Sequence, residues 1–224
     1  MDIKTEDVIN NGIGIFGGTF DPIHIGHIHS IEAVATWLNL STVLLIPAYV
    51  SPHKTSIHAI PQATPEQRAK MVELASKDYP NFQCDQRELL RCGPSFTVET
   101  LRELKLTYPK QPLYFVIGMD SLHTFTQWHL YQEILTLCHL VVNTRPNYHL
   151  SELNQETQTL LSKHQKNDLS TLKNQHSGAI IFAKPIHIDI SSTEIRSNIY
   201  QQKDYKSQLS PLVVDFINKN QLYR

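Results

Sequence analysis

The sequence predicts an α/β protein with a doubly wound parallel sheet and a small C-terminal helical part. Short apolar segments alternate with helical patterns of ten or more residues, which is the length that a crossover between parallel strands needs. The chain of 224 residues is 41% hydrophobic and 18% charged, as expected of a globular protein with a sizeable core. Because no internal repeat and no Gly/Ser linker divides it, we expect a single domain over residues 1–224, mainly helical from about residue 185 to 224.

The predicted strands are apolar runs bounded by glycine, proline or polar residues. In chain order they are IGIF (13–16), VLLI (43–46), the weaker FQCD (82–85), LYFVIG (113–118), HLVVN (139–143) and GAIIFA (178–183). The unbroken hydrophobicity of LYFVIG is typical of a strand that is buried on both faces. In such sheets ligands bind beyond the carboxyl ends of the strands, where the strand order reverses.

The predicted helices are recognised by their starting signals. One runs from about Gly26 to Trp37, and the next begins after Thr64, with Pro65 at its first position and Gln67 placed to complete a capping box. The polar stretch 151–175 predicts a surface helix followed by a mobile loop. Hydroxyl residues precede two further helices: Ser95 or Thr97 as the cap of one, and Ser210-Pro211 before a last helix with Leu212, Val213, Phe216 and Ile217 on one side.

Charge and composition exclude several classes of protein. The formal net charge is −1, so no overall basic field favours nucleic acid or an anionic membrane. The longest apolar runs are too short to cross a bilayer, and MDIKTEDVIN at the N-terminus lacks the apolar core of a signal peptide. Cys84, Cys92 and Cys138 lack C-x-x-C spacing, which argues against a disulfide framework or a zinc ribbon. We expect a cytoplasmic protein without nucleic-acid or membrane partners; the sequence leaves homo-oligomer formation open.

A glycine pair and a histidine cluster mark the first strand-to-helix junction, in GIFGGTFDPIHIGHIH (14–29). Gly17 and Gly18 can admit an anion close to the backbone because no Cβ intervenes, although glycines at a strand end equally serve a simple turn. His24 precedes the predicted helix and His27 lies at its N-terminus, where free N–H groups and the helix dipole favour anions. A metal would need three converging ligands, which this spacing does not supply. His29 is expected on the helix surface.

A second anion-receptive helix start is predicted in DISSTEIRS (189–197). Ser191, Ser192 and Thr193 offer hydroxyl groups at the cap. Arg196 follows in the first turn, where a cation opposes the helix dipole unless an anion is present. Plain N-capping with a solvated arginine is the alternative, and the position of Arg196 favours function.

Three other junctions carry chemistry that suits a nucleotide. Lys54, beside His53, lies on a loop after the second strand. Asp120 follows Gly118 at the mouth of a strand, where it can accept hydrogen bonds from a ribose. Trp128 can stack on a heterocycle or be wedged into the core, and Thr97 marks one more helix start. No single junction decides the function, but together they favour a nucleotide site.

Several of these segments resemble the signatures of a known superfamily. The run HIGH (24–27) and ISSTEIR (190–196) resemble the two signatures of the H-x-G-H nucleotidyltransferases. Their order with SPHK, PSFTVETL, FVIGMDSL and WH is similar to that in the bacterial nicotinate-nucleotide adenylyltransferases, from about Gly14 to Arg196 and again in the final LYR. Phe96 stands where the family often has tyrosine, and His129 stands where several members carry tyrosine.

The resemblance implies a Rossmann-like fold and transfer of AMP from ATP to nicotinate mononucleotide, giving deamido-NAD and pyrophosphate, with Mg²⁺ bound with ATP. His24, His27, Lys54 and Arg196 would be the catalytic residues. By the same resemblance, ATP would contact Gly17, Gly18, Thr19, Phe20, Gly118, Asp120, Ile190, Ser191, Ser192 and Thr193. The pyridine nucleotide would be held by Thr97, Trp128, His129 and Arg145. No residue is expected to form a metal site of the protein's own.

Two other functions fit the same sequence. A sister transferase could use nicotinamide mononucleotide or phosphopantetheine as acceptor, although the pantetheine enzyme is shorter and PSFTVETL with WH argues against it. A nucleotide sensor without catalytic activity could share the fold, since fold does not fix function. The presence of His24, His27 and Arg196 together favours the enzyme, because a protein that only binds a nucleotide does not need all three.

Overall fold

In the part of the chain that the structure describes, the sheet has six strands, and its doubly wound parallel form confirms the predicted fold class. The computed structural model describes residues 11–50, 60–144, 153–173, 175–184 and 190–224. Within them the strands are β1 (Ile13–Gly18), β2 (Thr42–Pro47), β3 (Phe82–Cys84), β4 (Leu113–Gly118), β5 (His139–Asn143) and β6 (Ile180–Ala183). Their order is β3-β2-β1-β4-β5-β6, which reverses at β1 as in other doubly wound sheets.

Parallel pairing and burial explain why these strands read as apolar runs. The registers place Ile13 of β1 opposite Leu113 of β4, Phe115 of β4 opposite Leu140 of β5, and Val141 of β5 opposite Ile181 of β6. Residues 113–117 and 139–142 are all buried, whereas Gly118 at the end of β4 is exposed. Helical crossovers cover both faces of such a sheet, so both faces must be apolar.

Each helix predicted from the sequence is present, and the described part of the chain contains three more. In the described residues the helices are α1 (Ile25–Trp37), α2 (Pro65–Ala75), α3 (Arg87–Arg91), α4 (Thr97–Thr107), α5 (Met119–His123), α6 (Tyr131–Leu137), α7 (Gln155–His164), α8 (Ser192–Tyr200) and α9 (Pro211–Lys219). The three that were not predicted are α3, α5 and α6. The capping box of α2 is present, with Thr64 and Gln67 each accepting the other's backbone N–H. The surface helix expected in 151–175 is α7.

Two details of the helix predictions are wrong. Neither Ser95 nor Thr97 caps α4: the N-cap is Phe96, because the Ser95 hydroxyl instead accepts the backbone N–H of Tyr49 at 2.9 Å and Thr97 is already the first helical residue. In α9 the buried side chains are Val213, Val214 and Ile217, while Leu212 is 38% exposed.

The chain forms two compact units, each assembled from separated segments. The first contains the described parts of Met1–Phe16, Glu32–Val43 and Phe96–His187, and the second those of Gly17–Ile31, Leu44–Ser95 and Ile188–Arg224. In the second unit α9 packs against α2. The single-domain organisation stays a prediction. No helix in the described part of the chain is long and apolar enough to cross a membrane.

Candidate active site

The turn after β1 is shaped by a glycine that leaves room for an aromatic ring. A Cβ on Gly18 would lie 2.8 Å from Cε1 of Phe20, which is closer than carbon atoms approach. Phe20 is 2% exposed and has a φ of 52°, in the left-handed region that few residues other than glycine adopt. Any side chain at position 18 would therefore displace Phe20, whose ring contacts that of His27 edge-on at 5.3 Å.

At the start of α1, His24 and His27 each accept a hydrogen bond from the backbone N–H of the other. The N–H of His24 donates to Nδ1 of His27 at 3.2 Å, and the N–H of His27 donates to Nδ1 of His24 at 3.3 Å. Their rings are stacked, with centroids 3.6 Å apart. Because both Nδ1 atoms accept, each neutral ring carries its proton on Nε2. This assigns to both imidazoles an Nε2–H donor that suits a phosphate oxygen.

The electrostatic state of His24 follows from its burial. The side chain is 7% exposed, and desolvation lowers the pKa of His24 from 6.5 to about 4. At pH 7 it is therefore a neutral hydrogen-bond donor rather than a cation. His29, as predicted, is exposed on α1. No three His, Cys, Asp or Glu side chains lie close enough to hold a metal ion among the residues described.

Arg196 lies on α8, whose start is held by two hydroxyl groups. Ser191, one of the three hydroxyl residues predicted at the cap, caps the helix by accepting the N–H of Glu194 at 3.1 Å. The other two, Ser192 and Thr193, already belong to α8. Ser192 Oγ donates to the carbonyl of Pro22 at 2.9 Å and so ties α8 to the segment that follows β1. Arg196 is the fifth residue of α8 rather than part of its first turn, which corrects the sequence prediction.

The anion beside Arg196 is the side chain of Asp21, which sequence reasoning missed. Nη1 of Arg196 donates to the Asp21 carbonyl at 2.7 Å and lies 3.6 Å from Oδ2, and its Nη2 donates to Thr193 Oγ1 at 3.3 Å. Nε of Arg196 is buried and has no hydrogen-bond partner in the described part of the chain. The N–H group at Nε is therefore a donor that is shielded from water.

A buried arginine fixes the same segment from the other side. Arg68 is 1% exposed and donates through Nη1 to the carbonyls of Thr19 (2.8 Å) and Ala48 (2.7 Å). Desolvation lowers its pKa, while the neighbouring Asp21 raises it. One signal could have identified it: Arg68 falls on the buried face of α2 with Met71, Val72 and Ala75, where an unpaired charge would be costly.

Three of the four predicted acceptor residues, Thr97, Trp128 and His129, are described and belong to the first unit. Thr97 opens α4, and the ring of the preceding Phe96 contacts the ring of His129 at a centroid distance of 4.7 Å. Trp128 is half-buried and packs at 5.5 Å against Phe125. The structure thus brings the PSFTV and WH segments into contact, although they are separated in sequence. Trp128 is partly wedged into the core, as the alternative interpretation held, and partly accessible.

The remaining candidate residues divide into described and undescribed positions. Gly118 is exposed, with open space where a Cβ would be, and Asp120 is exposed in α5. Ile190, Ser191 and Thr193 are at least partly exposed before or at the start of α8. Lys54, with His53, and Arg145 lie outside the described residues. A groove of about 900 Å³ beside α6 and α7 is lined by none of the candidate residues.

Comparison with known proteins defines the class to which this site belongs. A family model described as cytidylyltransferase-like matches residues 15–198. That range contains the glycine turn, the paired histidines and Arg196, so the fold and the site define a nucleotidyltransferase.

Two relatives and one solved structure narrow the class. A protein of Yersinia pestis, named probable nicotinate-nucleotide adenylyltransferase, is 42% identical over 225 residues, with 100% of both chains covered. One of Psychromonas ingrahamii with the same name is 38% identical over 218 residues, covering 97% of this chain and 100% of the relative. Plasmodium falciparum nicotinic acid mononucleotide adenylyltransferase complexed with NaAD has the same fold, with a TM-score of 0.69 at 16% identity over 96% of this chain and 98% of that one. The chain belongs to the nicotinate-nucleotide adenylyltransferase family.

Proposed function

We propose that the protein transfers the AMP moiety of ATP to nicotinate mononucleotide, forming deamido-NAD and pyrophosphate. The observation that carries this proposal is the arrangement in the second unit, where the paired imidazoles of His24 and His27 follow the Gly17-Gly18 turn and Arg196 is tied to the same segment. Relatives that match the whole chain carry the corresponding name.

The reaction needs positioned donors rather than an acid–base pair. A phosphate oxygen of nicotinate mononucleotide forms a bond to the α-phosphorus of ATP, and the bond from that phosphorus to the α,β-bridging oxygen breaks. The electron pair leaves with pyrophosphate. Because the attacking phosphate is already anionic at neutral pH, no general base is required. Alignment for in-line attack and stabilisation of the charge on the phosphate oxygens therefore supply the catalysis.

The roles of the catalytic residues follow from their charge. His24, kept neutral by burial, and His27 donate Nε2–H hydrogen bonds to phosphate oxygens. Arg196, with Lys54, neutralises the charge of the triphosphate. The segment from Gly17 to Phe20 lines the reacting centre.

The remaining residues bind the two substrates. ATP also contacts Gly118, Asp120 and the segment from Ile190 to Thr193. Thr97, His129 and Arg145 hold the pyridine nucleotide, on which Trp128 stacks. The half-buried position of Trp128 and the contact of Phe96 with His129 support a preformed acceptor surface.

Mg²⁺ would come with ATP, as part of that substrate. The ion commonly keeps several waters and is held through substrate phosphates with few protein ligands. When bound, Mg²⁺ neutralises phosphate charge, and the residues named above orient the nucleotides.

The direct experiment measures pyrophosphate release from ATP and Mg²⁺ with each acceptor. Nicotinate mononucleotide, nicotinamide mononucleotide, phosphopantetheine and a reaction without acceptor are compared. We expect release with nicotinate mononucleotide, far above the reaction without acceptor. Release only with phosphopantetheine would identify a sister transferase, and ATP binding without release in any reaction would identify a sensor.

A further inference from the structure

The carboxylate of Asp21 joins distant parts of the second unit. Asp21 is 3% exposed. Its Oδ2 accepts the N–H of Gln62 at 2.9 Å, and its Oδ1 accepts the N–H of Ala63 at 3.0 Å and the hydroxyl of Tyr223 at 2.9 Å. These partners lie 41, 42 and 202 residues away in sequence. The charge of a buried carboxylate must be compensated, and these donors with Arg196 provide that compensation.

Asp21 in turn restricts the guanidinium of Arg196. Nη1 is held by the carbonyl of Asp21 and faces its carboxylate, and Nη2 is held by Thr193. A planar guanidinium with two of its nitrogens fixed has one orientation, and so its third nitrogen has a fixed direction. That third nitrogen is the buried Nε, which has no partner among the described residues. Asp21 therefore orients Arg196 without needing to touch a substrate.

Tyr223 completes this arrangement from the last turn of the chain. It is 7% exposed and has a φ of 64°, so its backbone is held in the left-handed region. Burial, together with the adjacent Asp21 charge, raises the pKa of Tyr223 well above its usual value. The phenol stays protonated and is a permanent donor to Asp21 Oδ1.

We infer that Tyr223 and Asp21 are positioning residues for Arg196, so that the C-terminal turn of the chain sets the direction of a phosphate-binding arginine. This inference rests on the proposed function. Removing the Tyr223 hydroxyl takes one donor from a buried carboxylate, and Asp21 then shifts toward its charged neighbours, Arg196 and Arg68. Arg196 loses its single orientation as a result.

The test compares Tyr223→Phe with a matched control, Tyr205→Phe. Tyr205 is 9% exposed and donates its hydroxyl to Asn218 at 3.1 Å, so the control removes the same group from a similar depth without touching Asp21. We expect Tyr223→Phe to lower kcat/KM for ATP about tenfold, because Arg196 then no longer holds a single orientation toward the phosphates. Tyr205→Phe should leave it unchanged. Equal kinetics in the two variants at similar melting temperatures would overturn the inference.

A double-mutant cycle separates positioning from mere stabilisation. In an Arg196→Lys background, the group that Tyr223 orients is already gone, so Tyr223→Phe should change kcat/KM less than twofold. If the loss of kcat/KM in the double variant equalled the product of the losses in the two single variants, the inference would be contradicted. Asp21→Asn, which keeps an acceptor for the phenol but removes the charge facing Arg196, should show the same coupling and serves if Tyr223→Phe does not fold.

A binding measurement distinguishes failure of this inference from failure of the proposed function. Calorimetry with α,β-methylene-ATP needs no acceptor and no turnover. We expect weaker binding by Tyr223→Phe than by Tyr205→Phe, by several fold, even if nicotinate mononucleotide proved not to be the acceptor. Unchanged affinity in Tyr223→Phe would contradict the positioning role, whereas wild-type inactivity with nicotinate mononucleotide would contradict only the proposed function.

Discussion

At the residue scale, the paired histidines have a structural role, to which we propose to add a chemical one. Each Nδ1 accepts the backbone N–H of the other histidine, so the α1 start and the two Nε2–H donors depend on one arrangement. The two rings stack with their centroids 3.6 Å apart. The lowered pKa of His24 keeps that ring neutral. Donors that are already in place can stabilise the charge that develops in a transition state, because they do not have to move during the reaction.

Replacing His27 by alanine tests this role. We expect His27→Ala to lower kcat by about 10²–10³, as removal of one transition-state donor does. The variant should still fold but with a lower melting temperature, because His27 Nδ1 also accepts the His24 N–H and its ring stacks on that of His24. His29→Ala is the matched control, since His29 is an exposed histidine of the same helix. Near-normal turnover in a folded His27→Ala variant would contradict the catalytic role proposed for His27.

The site residues that the sequence predicted are those whose role depends on neighbouring residues in the chain. His24 and His27 flank a helix start and Ser191 caps a helix, and the structure places each of them accordingly. Asp21 lies in the same quoted stretch, but its role depends on Gln62, Ala63 and Tyr223, up to 202 residues away. No pattern in a single sequence indicates partners at that separation.

At the element scale, the caps of α2 and α8 can be compared to separate effects on stability from effects on activity. Thr64 and Ser191 each cap a helix by accepting a backbone N–H, but only α8 carries Arg196. We expect Thr64→Ala and Ser191→Ala each to reduce the free energy of unfolding by about 1 kcal/mol. Only Ser191→Ala should also reduce adenylyl transfer, because it loosens the helix that holds Arg196 and removes a hydroxyl group from the segment proposed to contact ATP.

Urea denaturation and initial rates, measured on both cap variants, check this prediction. Equal activity in the two variants at equal stability would show that the start of α8 does not position Arg196. Loss of activity in Thr64→Ala beyond its unfolded fraction would place α2 in the site.

The elements themselves were predictable wherever hydrophobic pattern and turn chemistry agree. The apolar runs of β4 and β5 need burial on both faces, and Thr64 to Gln67 spell a capping box; all three predictions are confirmed. The cap of α4 was not predictable, because Ser95 uses its hydroxyl on Tyr49, a partner 46 residues away. The face of α9 was misjudged because Leu212 and Val214 are equally apolar, and packing alone chooses between them.

At the scale of the whole molecule, two buried histidines make stability depend on pH. Desolvation lowers the pKa of both His24 and His139 to about 4. Nδ1 of His139 accepts the N–H of Ala179 at 3.2 Å, so protonation would break a bond there as it would at His24. The folded state therefore binds fewer protons than the unfolded state between pH 6.5 and 4.

Stability should be full above pH 6.5 and fall as the pH is lowered toward 4. The slope is up to about 1.4 kcal/mol per pH unit for each histidine. Urea denaturation at pH 7.5 and pH 5 measures it, and His139→Gln should make the dependence less steep. A free energy of unfolding that is constant or rises between pH 7.5 and pH 5 would contradict this prediction.

The most direct test of adenylyl transfer to the acid mononucleotide is a pair of kcat/KM values, for nicotinate and nicotinamide mononucleotide at fixed ATP and Mg²⁺. We propose that backbone donors at the start of α4 and beside His129 pair with the carboxylate, whereas a carboxamide would turn an NH₂ toward one of them. The backbone N–H of Trp128 is not among these donors, because it is bound to the Phe125 carbonyl at 3.0 Å. Sites built on such pairing reject the wrong analogue by up to roughly 10⁴–10⁵, and we expect a smaller preference because His129 is exposed. A clear preference for the acid is the predicted result, and equal values or a preference for the amide would contradict it.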